Sequence, residues 1–296
     1  MAKRILIQLD CDPQPSTFDA VVAVDAGADV LLRHGGVTPD TVVPLVHGAM
    51  FTRGGADLAN TAIFVGGSDV AAAEAVATRV RATFFGPVRV GVLLDPNGAN
   101  TTAAAAVVTA CRHVPVGTGA RPRCRSLVLG GTGPVGLRVA RLLARSGAAV
   151  HLASRSLARA EEAARRVRDE VPGAEVAALA WPGVAVAGTP AERVLAGADV
   201  VIAAGAPGAV LLDAAGRRLA REARVLVDLS AVPPTGIADI LPSDKGRQDG
   251  AAVVYGALGV GGLKMKIHRA AIESIFTATA AFLDAEELLA IGRDIG

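Results

Sequence analysis

Cysteine is scarce in this 296-residue chain: three residues (Cys11, Cys111 and Cys124), an odd number with no CxxC spacing. That excludes a disulfide framework and a zinc ribbon and points to a reducing compartment. A charge excess is also missing. Thirty basic residues face 28 acidic ones, a net +2 with the signs interspersed, which is no nucleic-acid footprint. Long apolar runs are absent too. The run after the basic start ends at Asp10, far short of a secretory core, and the nearly charge-free stretches around Val200–Leu212 and Val176–Gly188 are broken by Gly or Pro. A soluble, cytoplasmic protein is expected.

Several catalytic signatures are lacking as well. The single tyrosine, Tyr255, is followed four residues later by Gly259, so there is no Tyr-x-x-x-Lys pair. No GxSxG elbow, HExxH helix or phosphate-binding GxxxxGK[ST] loop occurs. Five histidines (His34, His47, His113, His151, His268) are scattered without metal-ligand spacing, and no metal site is expected.

What the chain has is apolar material, 51% of its residues against 20% charged, in a length that suits two domains. Short apolar runs at Ile5–Leu9, Ala62–Val65, Val90–Leu94, Leu127–Leu129, Val150–Ala153, Val200–Ala204 and Val225–Leu229 read as buried strands. Ala/Arg-rich segments of helical length lie between most of them: Asp69–Thr83, Thr101–Val114, Val135–Ser146, Leu157–Val171 and Asp213–Ala223. Strands without clean alternation, spaced by helices, predict an α/β fold with parallel sheets covered on both faces. A composition break at Pro115–Arg125 separates a first α/β domain, residues 1–115, from a second, 120–262. A helical segment after a Gly-rich turn, 263–296, is expected to pack back on the first.

The most specific motif lies in the second domain. A strand ending near Leu129 runs into Gly131-Thr132-Gly133-Pro134-Val135-Gly136, a helix follows, and another strand starts near Ala149. This is G-x-G-x-x-G in the strand–turn–helix setting of a dinucleotide-binding Rossmann unit. Gly131 permits the turn, Gly133 lets backbone approach a pyrophosphate, and Gly136 lets helix and strand pack closely. The phosphates then sit over the helix N-terminus. The second strand ends Ala153-Ser154-Arg155-Ser156, with Arg159 beyond, where NAD-binding folds carry an acid for the ribose 2′-hydroxyl. Arginine and serine instead suit a 2′-phosphate, so NADP is the expected cofactor. Ala204 and Gly205, at the end of a later strand, are placed beneath the nicotinamide ribose.

Two further stretches can carry chemistry. Asp95-Pro96-Asn97-Gly98-Ala99-Asn100-Thr101-Thr102 crowds polar groups at the end of a strand, where open α/β sheets bind ligands; a locally capped turn accounts for one or two of these residues. Gly256–Lys266 holds two of the chain's four lysines, Lys264 and Lys266, in an otherwise arginine-rich sequence, and lysine, unlike arginine, can lose its proton when buried.

Together these segments resemble the bacterial NADP-dependent methylene-tetrahydromethanopterin dehydrogenases, some of which also accept methylene-tetrahydrofolate. The likeness rests on Asp10–Asp12 with Pro15–Asp19, Val37–Asp40, Phe51–Gly55, Thr61–Gly67, Phe84-Phe85-Gly86-Pro87, Asn97–Ala104, Gly131–Gly136, Pro233-Pro234 and Gly256–Arg269. The resemblance implies a pterin held in the cleft between an N-terminal domain and an NADP-binding domain, and a homotrimer. It places a catalytic lysine at Lys264 and substrate contacts at Asp19, Asp95, Asn97, Asn100, Thr101 and Thr102. Ser154-Arg155-Ser156 stands where a Gly-Arg-Lys type is common, and Ser230 where an Asn follows the Asp-containing strand. From the residues alone, an NADP-dependent enzyme for another small substrate, or a non-catalytic NADP-binding regulator, stays open.

Overall fold

The computed structural model describes residues 2–116, 123–183 and 187–296. Part of the Pro115–Arg125 break, residues 117–122, lies outside the described residues. Two compact units emerge: Met1–Thr101 with Met265–Ile295, and Thr102–Lys264.

The first unit begins with β1 (Ile5–Asp10), α1 (Thr17–Asp25), β2 (Val30–His34) and α2 (Val43–Phe51). It continues with β3 (Thr61–Gly66), α3 (Val70–Thr83), β4 (Gly91–Leu94) and the start of α4 (Ala99–Cys111). The second unit runs through β5 (Arg125–Leu129), α5 (Pro134–Arg145), β6 (Ala149–Ser154), α6 (Leu157–Glu170) and β7 (Val176–Ala180). Then come α7 (Pro190–Ala196), β8 (Val200–Ala203), α8 (Ala214–Arg217), β9 (Val225–Asp228), β10 (Lys245–Asp249), β11 (Ala252–Tyr255) and α9 (Ala257–Ile275). The chain closes with β12 (Phe282–Leu283) and α10 (Ala285–Ile295), which belong to the first unit.

The first sheet has the order β12-β4-β3-β1-β2, all parallel. Its central strands β3 and β4 are buried along their whole length, and Ile63, Val65, Val92 and Leu9 share one face, where they form a core with Val46 and Met50 of α2 and Val76 and Val80 of α3. The second sheet has the order β10-β11-β9-β8-β5-β6-β7. It is parallel except for the antiparallel pair β10–β11, a departure from the all-parallel expectation. Lys-Gly-Arg-Gln-Asp on β10 is an exposed, charged edge strand, where charge discourages further pairing. Leu127, Leu129, Val201, Leu226 and Val254 build the core beneath it.

Two sequence readings are corrected. The helix expected over Asp213–Ala223 is only the single turn Ala214–Arg217. Gly216 weakens it, and Arg217 turns away to donate to the Ala238 carbonyl and to Asp249. The Gly-rich segment read as a turn before Leu263 is instead the first turns of α9. Two of its glycines answer to packing: a Cβ on Gly259 would stand 1.9 Å from the Asp244 carbonyl oxygen, and one on Gly256 2.0 Å from that of Leu241, whereas Gly261 and Gly262 have nothing within 4 Å. Among the described residues, no helix is long and apolar enough to cross a membrane.

Candidate functional site

Between β5 and β8 the chain order of the second sheet reverses, and the β5–α5 turn lies at the carboxyl edge of that switch point. Gly131 donates its N–H to the Ala153 carbonyl (3.1 Å), and a Cβ there would meet Leu152 Cγ at 2.5 Å. At Gly136 a Cβ would stand 2.4 Å from the Gly130 oxygen, so glycine is what lets α5 seat against the turn. Gly133 differs. A Cβ there would make only ordinary contacts, 3.5 Å to the Gly130 oxygen and 3.8 Å to that of Ala204, so packing within the protein does not demand glycine at this position. Gly133 is also the N-cap of α5, with no side chain capping the helix and Pro134 at its start. Thr132 and Val135 are half-buried and Pro134 is exposed. The turn thus leaves a helix N-terminus uncapped for an anion.

Gly130 was not singled out by the sequence reading. It adopts φ +71°, and a Cβ would lie 2.8 Å from Gly205 Cα. The glycine turn and the end of β8 therefore touch backbone to backbone, which explains both Ala204 and Gly205. Ala204 N–H donates to the Leu129 carbonyl at 2.9 Å.

At the end of β6, Ser154 Oγ accepts from Ser156 N–H (3.4 Å), and Ser156 Oγ caps α6 by accepting from Arg159 N–H. Arg155 and Arg159 are exposed, and no acid occupies the strand end. Arg159 lines a 410 Å³ cavity with Thr132, Leu137 and Glu162. Glycine turn and guanidinium therefore border one space, large enough for part of a nucleotide.

The Asp95 loop is arranged quite differently. Asp95 is fully buried, and its carboxylate accepts from Asn100 N–H (2.9 Å), Thr101 N–H (3.0 Å) and Thr101 Oγ (2.6 Å), capping α4 from the side. Asn100, also fully buried, donates to the Leu94 carbonyl and to Asp284, both at 2.7 Å. Asp95, Asn100 and Thr101 thus hold the loop together. Asn97, exposed at φ 53°, and half-buried Thr102 are the polar residues of the loop that reach the surface.

Asp19 sits in the first turn of α1, with its carboxylate 4.0 Å from Nε2 of buried His268 on α9. The His268 ring stacks on Phe64 at 5.8 Å and lies 6.4 Å from Phe18. His268 was dismissed as scattered because its partners lie more than 200 residues away in sequence. Lys264, one turn earlier on α9, is half-buried and belongs to the second unit.

One buried acid was noted in the sequence only as the acid of its strand. Asp228, ending β9, accepts from Ser230 N–H (2.9 Å) and Ile237 N–H (2.8 Å). Burial pushes its carboxyl up, while these backbone donors pull it back toward ionisation. Cys11, just after β1, has its thiol pushed up to about 11, first by burial and then by Asp10, Asp12 and Asp69.

An uncapped glycine turn at the switch point of a doubly wound sheet defines an NAD(P)-binding α/β protein. The comparisons narrow this. A model of methylene-tetrahydromethanopterin dehydrogenase N-terminal regions matches residues 17–97, and a model described as putative NAD(P)-binding matches residues 120–238. The bifunctional protein MdtA of Methylorubrum extorquens is 43% identical over 299 residues, spanning 100% of each chain. The NAD(P)-dependent methylenetetrahydromethanopterin dehydrogenase of the same organism is 32% identical over 273 residues, 89% of each chain. The chain belongs to the methylene-tetrahydromethanopterin dehydrogenase family. Among solved structures, quinate dehydrogenase from Corynebacterium glutamicum in complex with NAD has a TM-score of 0.52 over 98% of this chain and 99% of that one. At 14% identity this is a likeness of fold.

Proposed function

We propose that the protein is an NADP-dependent methylene-tetrahydromethanopterin dehydrogenase of one-carbon metabolism, with methylene-tetrahydrofolate as a second carrier. The observation that carries the reading is the β5–α5 turn, with its uncapped helix and a Gly133 that packing does not demand, beside a β6 end bearing Arg155 and Arg159 instead of an acid. In a chain of this family, that is a site for a dinucleotide with a 2′-phosphate.

When bound, NADP supplies the nicotinamide that accepts a hydride from the methylene carbon, leaving an N–C–N cation shared by two nitrogens. No proton moves in that step, so no acid–base pair is required. The protein's share is alignment at roughly 3–3.5 Å and exclusion of water, which would otherwise attack the methenyl product. Gly131 and Gly136 fix the turn, while the uncapped N-terminus of α5 holds the diphosphate and Arg155 with Arg159 the 2′-phosphate. On the substrate side, Asn97 and Thr102 are the polar groups of their loop available to a pterin, with Asp19 and Lys264 as further contacts. Lys264 either donates to a pterin oxygen or stands neutral at the reacting centre, since a protonated amine against the developing cation would raise the barrier. Asp95, Asn100 and Thr101 support the loop from beneath. A cytoplasmic homo-oligomer, a trimer by family resemblance, completes the proposal, and sedimentation measures its size.

The test is NADPH formation by the purified protein with methylene-tetrahydromethanopterin or methylene-tetrahydrofolate, and with NAD replacing NADP. Turnover with NADP and at least the first carrier is expected. Nucleotide binding without turnover on either carrier would leave an NADP-dependent enzyme for another small substrate or an NADP-binding regulator.

A further inference from the structure

The sheet order separates the two halves of a bound dinucleotide. With the diphosphate at the β5–α5 turn and the adenosine ribose at the end of β6, the nicotinamide half must extend the other way, over the ends of β8 and β9. What lies there is the segment after β9, and Asp228 holds it. One carboxylate oxygen accepts from Ser230 N–H at 2.9 Å, at the start of the segment, and the other from Ile237 N–H at 2.8 Å, at its end. The two ends of an eight-residue loop are therefore pinned on one buried side chain.

The loop is also seated on the nucleotide-facing edge. A Cβ on Gly236 would stand 3.3 Å from the Ala203 Cβ at the end of β8 and 3.0 Å from Asp228 Oδ1. The Gly236 carbonyl accepts from both Leu211 N–H (2.8 Å) and Leu212 N–H (2.9 Å), and Leu211 packs against Gly205. A continuous ridge thus runs from Gly130 through Gly205 and Leu211 to Gly236. Between its pinned ends the loop exposes Ala231, Val232, Pro233 and Pro234, an apolar tip without a charged group. An exposed apolar tip fixed at a ligand edge suits the face of a flat ring.

We propose that Asp228 is a positioning residue that fixes the 230–237 loop as a wall for the nicotinamide ring, with Val232 at the tip making the contact. The inference rests on the dinucleotide reading above and adds where its reactive half is held.

The test compares two ligands of the full-length protein by calorimetry: NADP, and adenosine 2′,5′-bisphosphate, which lacks the nicotinamide half. Asp228→Asn replaces one acceptor by an amide NH2 group facing a backbone N–H, and is expected to weaken NADP ~10-fold while changing the bisphosphate less than ~2-fold. Val232→Glu alters only the exposed tip, so it keeps the test decisive if Asp228→Asn folds poorly; the same split is expected. Equal losses for both ligands, or no loss for either, overturn the proposal. If the unaltered protein binds neither ligand, it is the dinucleotide reading that fails.

Discussion

Two strand-to-helix loops at the carboxyl edges of parallel sheets, β4–α4 and β5–α5, meet the same physical problem: several helical N–H groups without partners. The first solves it internally. Asp95 caps α4 with a buried carboxylate that accepts three hydrogen bonds, and Asn100 ties the loop to Asp284. The second leaves it unsolved. Gly133 offers α5 no side chain, although packing within the protein does not demand glycine there. The more polar loop is therefore the less available to an anion, and the loop with least side-chain chemistry is the one proposed to take it. A ligand of the Asp95 loop has to use Asn97 or Thr102.

The largest way to break this contrast is Asp95→Ala. It strands three buried donors and should cost about 3 kcal/mol in urea unfolding, with NADP affinity essentially unchanged; an equal collapse of nucleotide binding would merge two loops held here to be separate. Next, Gly136→Ala forces a methyl against the Gly130 oxygen and should destabilise by about 1–3 kcal/mol. Gly133→Ala should melt like the parent yet bind NADP more weakly, its methyl occupying ligand space. A melting temperature that drops for Gly133→Ala and not for Gly136→Ala would reverse the roles. Smaller still, replacing Arg155 and Arg159 together by Ala should weaken NADP ~10-fold and leave NAD unaffected; titrations with both nucleotides read the difference.

The smallest effect is in acid. Arg247, hydrogen-bonded in two places to Asp244, holds that carboxyl below its usual range. Its contribution is complete above the ordinary aspartate value and is lost as pH falls through the depressed one. Arg247 is half-exposed, so the effect stays within about 1 kcal/mol. An Asp244→Asn variant should flatten the acid limb of a stability profile by that amount.

How much was legible follows the same division between local and distant causes. The buried strands β1, β3, β4, β5, β6, β8 and β9 read directly, because full burial demands unbroken apolar runs. Half-exposed β2 and charged β10 carry no such run, and two-residue β12 is too short to make one. Gly131 and Gly136 are legible because each answers to atoms of its own βαβ unit, Leu152 for the first and the Gly130 oxygen for the second. The Asp95 loop read as a ligand cluster since nothing local reveals that Asn100 meets Asp284 or that Asp95 faces inward. Asp228 was noted only as the acid of its strand, because only the fold brings Ile237 back to it.

The central claim is that the protein moves a hydride from a pterin-borne methylene carbon to NADP. The most direct measurement supplies methylene-tetrahydromethanopterin deuterated at that carbon, in ordinary water, and examines the NADPH formed by mass spectrometry. Deuterium in essentially every NADPH, with none lost to solvent, is the predicted result. NADPH without the label, or no NADPH at all, would contradict it.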